Sequence, residues 1–390
     1  MKTKVPRHIL PVIVFSQFAG TSLWFAGNAV VPDLILELGL NETAIGYITN
    51  AVQTGFIIGT LVFALLNVAD RISPVKVFLA CSLLGAAFNA LTIYGSGFGE
   101  LMGARFLTGF FLAGIYPVGM KIASDWHEKG LGKALGYLVG ALVVGTAFPH
   151  FLKFAGGDLP WRFVLISTSL ISITGGLVLF FTVPDGPFKG KAGVFKPSAL
   201  FTLFRQKNFR SAAFGYFGHM WELYTFWAFV PVMLAYYNGV SQASLSVPLW
   251  SFLIIAIGGV ACAVGGHVSL SMGSKKVAFT SLMTSALCCL LVPYMFQTPA
   301  WLFISFLLLW GAVVVSDSPQ FSTMVAGSAD RSYVATGLTI VNSMGFAITI
   351  VSIQLVSSIW ILSGSPKIFW LLFLGPLAGL FALHKFKSPN

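Results

Sequence analysis

Long apolar segments follow one another along almost the whole chain, and short polar connections separate them. Each segment is long enough for an α-helix to cross the hydrocarbon core of a bilayer, which takes about 20 apolar residues. We number these segments as spans one to twelve: residues 9–36, 44–68, 75–95, 99–123, 132–153, 161–183, 211–236, 245–269, 276–296, 299–325, 333–361 and 366–384. The pattern predicts an all-α membrane protein with twelve transmembrane helices.

The longest polar stretch, residues 184–210, lies between spans six and seven. It is rich in proline, glycine and basic residues, a composition typical of connections. It predicts two pseudo-symmetric six-helix halves, residues 1–183 and 211–390, joined by a cytosolic linker of residues 184–210. Because the number of spans is even, both termini are expected on the same side of the membrane.

Composition and charge narrow the class of protein. The 390 residues are 56% hydrophobic and only 9% charged, whereas soluble proteins are about 25% charged. The net charge of +11 would suggest nucleic acid in a soluble chain, but 19 of the 23 basic residues fall in connections, or at the adjoining span ends, that are cytosolic if the N-terminus is. This is the positive-inside distribution. We therefore expect a multi-pass protein of the bacterial inner membrane, with both termini cytosolic and with lipid, not nucleic acid, around it.

The four cysteines, Cys81, Cys262, Cys288 and Cys289, all lie inside apolar runs. They form no CxxC pattern and have no adjacent histidine pattern. We therefore expect free thiols, no metal site and no cofactor.

Span seven carries one carboxylate, Glu222, within an aromatic run that begins at Phe214 and reads FGYFGHMWELYTFWAFVP. An ionisable group inside a span costs on the order of 3 kcal/mol or more unless it is protonated or faces a wet cavity, so it indicates a functional site. His219 lies three residues earlier, on the same helical face. We predict that Glu222 is the proton-coupling group and that His219 shares its proton or contacts substrate. The alternative is a protonated Glu222 that only bonds a neighbouring helix.

The connection after span two reads LNVADRISPVK from Leu66 to Lys76. It resembles the loop signature of the major facilitator superfamily, in which an Asp-Arg pair lies between two glycines and precedes further basic residues. Asp70 and Arg71 match the pair, while Leu66 and Ser73 replace the glycines. The resemblance implies a gating role for Asp70 and Arg71, since the aspartate can cap the next helix or pair across the two halves. The alternative is plain positive-inside loop chemistry.

Further elements are similar to the same superfamily. Arg105-x-x-x-Gly109 in span four is similar to its Arg-x-x-x-Gly element, and the glycines of span five loosely resemble its antiporter element. Tyr116–Lys121, His219–Tyr224 and Asp317–Gln320 resemble a bacterial branch grouped with cyanate and nitrate porters, without the paired buried arginines of the nitrate type. The resemblance covers the whole chain and implies a transporter, not an enzyme.

Other ionisable residues inside the spans have two interpretations each. Arg105, about six residues from the outer end of span four, either belongs to a proton or substrate site or snorkels to the outer interface. Lys121 and Asp125 are predicted to form an intrahelical pair, with a substrate contact as the alternative. Asp317 precedes Pro319, which can bend or break span ten. Broken helices recur at transporter sites, and a buried polar kink is the alternative.

Polar and aromatic side chains within the spans form the remaining candidate site. They line a substrate cavity, or they pack against other helices and lipid. The residues are Trp24, Asn28, Gln53, Lys121, Tyr224, Trp227 and Asn342.

These observations predict a secondary active transporter that moves a small organic solute, an anion or a zwitterion, by alternating access and with coupling to protons. The alternative within this class is an exporter of hydrophobic compounds, suggested by the aromatic content and the span-five glycines. The alternative of another class is a non-transporting membrane receptor or scaffold. No phosphate-binding loop, zinc motif or catalytic cluster indicates an enzyme. We expect the protein to act as a monomer.

Overall fold

The computed structural model describes residues 5–41, 43–95, 97–127, 131–188, 199–330 and 333–387. Every regular element in these ranges is a helix, which confirms the all-α prediction for this part of the chain. The chain divides into two compact units, Met1–Val194 and Phe195–Asn390.

The first unit contains nine α-helices within its described residues, together with short 3₁₀ segments at Asn28–Val30 and Thr92–Tyr94. In chain order they are α1 Ile9–Thr21, α2 Val31–Leu38, α3 Ala44–Leu65, α4 Val68–Arg71, α5 Pro74–Leu91, α6 Phe98–Leu112, α7 Tyr116–Trp126, α8 Leu131–Ala155 and α9 Arg162–Thr182.

The second unit contains eight α-helices within its described residues and a 3₁₀ segment at Pro366–Phe373. They are α10 Ala199–Arg205, α11 Lys207–Ser241, α12 Val247–Met272, α13 Ser274–Met295, α14 Ala300–Ser316, α15 Ser318–Gly327, α16 Val334–Ser363 and α17 Leu374–His384. The 35-residue α11 is the centre of this unit, because it packs against α12 and against each helix from α14 to α17, and most of its residues between 209 and 237 are buried.

Ten helical stretches of the described residues are long and apolar enough to cross a bilayer. They coincide with spans two to six and eight to twelve, and α6–α7 and α14–α15 each count as one stretch. Span one is divided into α1 and α2, and span seven lies in the continuous helix α11, which carries the polar side chains of His219 and Glu222. Neither is among the ten, so the number twelve stays a prediction.

Each unit contains a pair of helices whose backbones approach closely at a glycine. Gly109 of α6 lies against the carbonyl of Val52 in α3, and Gly311 of α14 lies against the carbonyl of Ile254 in α12. A Cβ atom at either glycine would overlap that carbonyl, so a small residue is needed for these helices to pack. The pairs join spans two and four in the first unit and spans eight and ten in the second, which are matching positions in the predicted repeat.

Spans four and ten are also interrupted at matching places. The helix α7 begins at Tyr116 with Pro117 in its first turn, and α15 begins at Ser318 with Pro319 in its first turn. Proline has no backbone N–H to donate and is best accommodated in the first turn of a helix, and each span stops and restarts just before its proline. The interruption predicted at Asp317 is confirmed, since α14 ends at Ser316.

Candidate functional site

Glu222 lies in the buried middle of α11, with 1% of its surface exposed. Its Oε1 atom accepts three hydrogen bonds from two other helices. Ser285 Oγ and Cys289 Sγ of α13 donate at 2.5 and 3.2 Å, and Trp310 Nε1 of α14 donates at 2.6 Å. Ser285 and Cys289 are four residues apart and therefore share one face of α13. One carboxylate oxygen of α11 thus accepts from three donors on two other helices.

His219 does not contact Glu222 but faces Asp317, at the interruption between α14 and α15. The distance between His219 Nδ1 and Asp317 Oδ1 is 2.8 Å, and each side chain is 1% exposed. The rings of Tyr216 and Phe321 flank the imidazole, with centroids 5.8 and 6.0 Å away. The three-residue spacing therefore produces no hydrogen bond between His219 and Glu222 in the structure, and the sharing of a proton between them stays a prediction.

The interruption of span ten is supported by side chains from neighbouring helices. Ser316 Oγ donates to Ser281 Oγ of α13 at 2.8 Å, and Cys262 Sγ of α12 donates to the carbonyl of Val315 at 3.3 Å. These bonds satisfy polar groups next to Asp317 and fix its place between α12 and α13.

Arg105 is a fully buried cation of the first unit, with 0% of its surface exposed. Its guanidinium donates to the carbonyls of Leu23 and Trp24 at 3.0 and 2.8 Å and to Asn89 Oδ1 at 2.7 Å. The two carbonyls lie just beyond the end of α1 at Thr21, between this helix and the 3₁₀ segment at Asn28–Val30. Arg105 therefore holds the interruption of span one, and the expectation that it snorkels to the interface is wrong.

Asn89 connects Arg105 to α9 by hydrogen bonds. Its Nδ2 atom donates to the carbonyl of Leu165 and to the hydroxyls of Thr168 and Ser169 at 3.0–3.1 Å. A mid-span asparagine carries no sequence signal that separates this role from helix pairing in general. Sequence analysis therefore missed Asn89.

The short helix α2, beyond the interruption, is anchored at its polar end by charged groups. Asp33 accepts from Lys153 Nζ at 2.8 Å, and Glu37 accepts from Trp161 Nε1 at 2.6 Å and pairs with Arg162. The hydrogen bond from Trp161 and then that from Arg162 hold the pKa of the Glu37 carboxyl below its ordinary value.

The loop signature lies against the end of span four. Lys121 Nζ pairs with Asp70 Oδ1 at 2.9 Å and with Asp125 Oδ1 at 3.5 Å. The predicted Lys121–Asp125 pair is confirmed, and Asp70 is found pairing within the first unit, not capping α5. The residue that precedes α5 is Ser73, which makes no capping bond, and Arg71 is exposed.

The first residues after span six join this cluster. Ser73 Oγ donates to Asp185 Oδ1 at 2.7 Å, and Trp126 Nε1 donates to the carbonyl of Pro184 at 3.0 Å. The amide of Phe188 donates to the carbonyl of Asp125 at 3.0 Å. Residues 184–188 therefore belong structurally to the first unit, although the sequence pattern assigns them to the linker.

The candidate cavity residues of the first unit are buried along the contact between α3 and the interruption of span one. The ring of Trp24 lies 4.7 Å from that of Phe56, and Asn28 Nδ2 donates to Thr49 Oγ1 at 2.7 Å. Gln53 is fully buried, and neither of its amide atoms has a hydrogen-bond partner in the structure.

Gln17 of α1 is a second glutamine whose amide is buried without a hydrogen-bond partner. It is not among the candidates that the sequence predicts. It is fully buried without a partner for either amide atom, against Gly119 of α7. A side chain on Gly119 would overlap Gln17 Oε1, so the glycine makes room for the amide. Buried polar groups normally have partners, and Gln17 and Gln53 are therefore further candidates for solute contact.

The candidate cavity residues of the second unit are mostly aromatic. The ring of Tyr224 lies 5.1 Å from Trp227 and 5.2 Å from Phe346, and both Tyr224 and Trp227 are buried. Asn342 is half-buried on α16. Among the described residues, no group of three or more His, Cys, Asp and Glu side chains is placed to hold a metal ion.

The arrangement of helices agrees with one family of proteins. The model of the Major Facilitator Superfamily matches residues 13–353. The chain belongs to this superfamily. The family and the matched relatives are transporters and not enzymes, which confirms the expectation drawn from the loop signature.

The alignments with curated relatives cover only part of each relative's length. A 4-hydroxybenzoate transporter of Pseudomonas aeruginosa is 25% identical over 184 residues, covering 45% of this chain and 38% of that protein. An uncharacterized transporter of Schizosaccharomyces pombe is 24% identical over 167 residues, covering 41% and 33%. The chain thus matches 33–38% of the length of these two relatives.

Solved structures match the superfamily protein over nearly its whole length. A human organic anion transporter, MFSD10, has a TM-score of 0.73 at 15% identity, covering 97% of this chain and 99% of that one. The nucleoside transporter NupG has a TM-score of 0.73 at 16% identity, covering 97% and 100%. At these identities the likeness shows the fold.

Proposed function

We propose that this protein is a secondary active transporter that moves a small organic solute across a bacterial inner membrane by alternating access, driven by protons. The observation that carries the proposal is Glu222, a carboxylate buried in span seven with three donors on one oxygen. An intramembrane carboxylate is suited to a proton relay. Its charge changes when a proton binds, and the change can be linked to the access of the solute.

The His219–Asp317 pair is proposed as the second polar element of the path. It lies at a helix interruption, where transporters commonly place solute and ion sites. Neither ring nitrogen of His219 has an aligned hydrogen-bond partner in the structure. The imidazole can therefore donate to an anionic group of the solute while Asp317 orients it.

An aromatic carboxylate is the solute that we propose to test first. The matched relatives are named as 4-hydroxybenzoate, organic anion and nucleoside transporters, which are all small organic solutes. The aromatic rings around Tyr224 suit a ring, and the His219 imidazole of the same unit suits a carboxylate group. Within the described residues no contact favours an exporter of hydrophobic compounds, and Gly145 of span five packs against α1.

Purified protein in liposomes tests the role of Glu222. We expect wild-type protein to accumulate 4-hydroxybenzoate when an inward proton gradient is imposed. Glu222→Gln mimics the permanently protonated state and should abolish accumulation while retaining counterflow exchange. Glu222→Asp should move the pH dependence of uptake without removing it.

The same assay separates the alternatives. Accumulation at wild-type rate in Glu222→Gln would defeat the proton-coupling proposal and make Asp317 the next candidate. A solute that raises thermal stability, as a ligand of the native state does, but moves in neither direction would favour a receptor.

We further propose twelve spans, cytosolic termini and a monomer. The support is the distribution of basic residues and the ten apolar stretches. In a cysteine-free background, a thiol at Lys387 should be labelled only from the cytosol and one at the exposed Asp158 only from outside. Labelling of both from the same side would contradict the topology.

Gating by Asp70 and Arg71 is proposed on the basis of the Asp70–Lys121 pair. Asp70→Asn and Lys121→Met should each slow transport strongly and leave expression and ligand binding largely intact, since each removes the same ion pair. Asp158→Asn, in an outer connection, is the control. Normal flux in both variants would leave the loop with a topological role only.

A further inference from the structure

The three hydrogen bonds that Glu222 accepts all end on one of its two carboxylate oxygens. Oε1 receives Ser285 and Cys289 from α13 and Trp310 from α14, at 2.5, 3.2 and 2.6 Å. One atom therefore connects α11 to two other helices, and all four side chains are at most 1% exposed.

The chemistry of the donors decides which oxygen takes a proton. The indole Nε1 of Trp310 is a donor only, so the atom facing it must keep a free lone pair. A hydrogen on Oε1 would point at the hydrogen of the indole and compete with those of Ser285 and Cys289. The proton therefore binds at Oε2, arriving from water, and neutralises the carboxylate. No other bond to hydrogen is made or broken, because each donor keeps its own.

The charge on Glu222 also sets the strength of the connection. Hydrogen bonds to an ionised acceptor are about twice as strong as those between neutral groups. A proton on Oε2 therefore weakens three bonds at once, and these bonds are the polar ties of α11 to α13 and α14 at this level. Proton binding loosens α11 from two helices of its own unit.

We infer that Ser285 and Trp310 are positioning residues for the proton step: they hold Oε1, leave Oε2 to be protonated, and connect the charge of Glu222 to the packing of α13 and α14. The inference rests on the proposed role of Glu222 as the coupling group. Beyond that role, it specifies that Oε2 is the oxygen that takes the proton and that α13 and α14 are the helices whose packing depends on the charge of Glu222.

Other titratable groups near this point are few. On α13 they are Cys288 and Cys289, on α12 Cys262, on α11 His219, and between α14 and α15 Asp317. The helices α14, α15 and α16 contain no ionisable side chain, and those of α17, α10 and the 3₁₀ segment at 366–373 lie at their ends, at His384, Arg205 and Lys367. An effect of Trp310 or Ser285 on pH dependence is therefore separable from Asp317 and His219 by a His219→Gln variant.

Infrared difference spectroscopy on purified protein provides a readout that does not depend on transport. The carboxyl C=O band that disappears in Glu222→Gln reports the protonated side chain. In Trp310→Phe and in Ser285→Ala this band should move to higher frequency, because its oxygen has lost a donor. It should also persist to a pH higher by about one unit, since a hydrogen bond to a charged group is worth about that much.

Matched controls lie on the same two helices. Trp301→Phe removes an indole from α14 that is 71% exposed, and Thr284→Ala removes a hydroxyl of α13 that bonds within its own helix. Both should leave the band and its pH dependence as in wild type. Ser285→Thr keeps a hydroxyl and should restore both, which keeps the test usable if Trp310→Phe does not fold.

The outcomes separate this inference from the proposed function. An unchanged frequency and pH dependence in Ser285→Ala and Trp310→Phe would overturn the inference, whatever the transport result. A shifted band together with full proton-driven uptake in Glu222→Gln would leave the positioning role standing and defeat the coupling proposal. Both hold if the band shifts and Trp310→Phe loses proton-driven accumulation while keeping counterflow.

Discussion

The first predicted span of each unit meets a buried charge in a different way. In the first unit, α1 stops at Thr21, and Arg105 binds the carbonyls that the interruption leaves open. In the second unit, α11 continues without interruption for 35 residues. It carries its charge on its own side chain, Glu222, and takes donors from α13 and α14.

The difference shows which kind of charge can hold an irregular backbone in place and which kind can respond to protons. Open carbonyls only accept, so their partner must be a donor, and a guanidinium offers several donors in a rigid fork with a charge that is always present. A carboxylate needs donors around it and loses its charge when a proton binds. The first unit thus uses a fixed charge to hold an irregular backbone, whereas the second holds a changeable charge on a regular one.

The largest expected effect comes from removing the fixed charge. Arg105→Met leaves two carbonyls and the Asn89 amide without their donor, and unsatisfied buried groups cost about 1–3 kcal/mol each. We expect destabilisation on the order of 3–5 kcal/mol, seen as a much lower melting temperature in detergent. Arg162→Met, at a partly exposed site, is the control. A wild-type melting temperature for Arg105→Met would break the comparison.

A smaller effect on stability is expected at the switchable charge. Glu222→Gln keeps an oxygen that can accept from Ser285, Cys289 and Trp310, so its free energy of unfolding should change by less than about 1 kcal/mol. Glu222→Leu leaves all three donors unpaired and should destabilise by more. Equal melting temperatures for the Gln and Leu variants would show that the three bonds contribute nothing to stability.

The smallest effect concerns the detached end of span one. The pKa of Glu37 is lowered by Trp161 and Arg162, so the pair stabilises the fold above the ordinary pKa of 4.5. That stability is lost as the pH falls through the lowered value. We expect Glu37→Gln to melt slightly below wild type at neutral pH and to lose this difference in acid. A difference that grows on acidification would contradict the assignment.

Sequence analysis located the charges but not their partners. The apolar pattern gave most spans, and Pro319 gave the interruption next to Asp317. Spacing along α11 predicts that His219 and Glu222 lie side by side, because residues three apart share a face. In the structure each of them bonds or pairs with residues outside α11, and such partners cannot be read from spacing within one helix. Ser285 is one of many mid-span serines, so nothing marked it as a partner.

The partners of Arg105 are not readable from the sequence for a related reason. The distance of Arg105 from the outer end of span four leaves snorkelling to the interface open as one of its two interpretations, and the apolar pattern predicts span one as continuous. The residues Gly20 and Gly27 flank the interruption, next to Thr21 and Ser22, and glycines weaken a helix. That signal was present but is common in membrane helices, where neighbouring helices usually satisfy the backbone.

The attachment of residues 184–188 has a practical consequence for work on separate halves. A first half ended at residue 183 would leave the Trp126 indole and the Ser73 hydroxyl without the acceptors that they use in the structure. Co-expressed fragments should therefore be divided after Phe188, where the polypeptide can be cut without exposing these groups. A fragment that ends five residues earlier is expected to be cleared by cellular proteases before it can complement its counterpart.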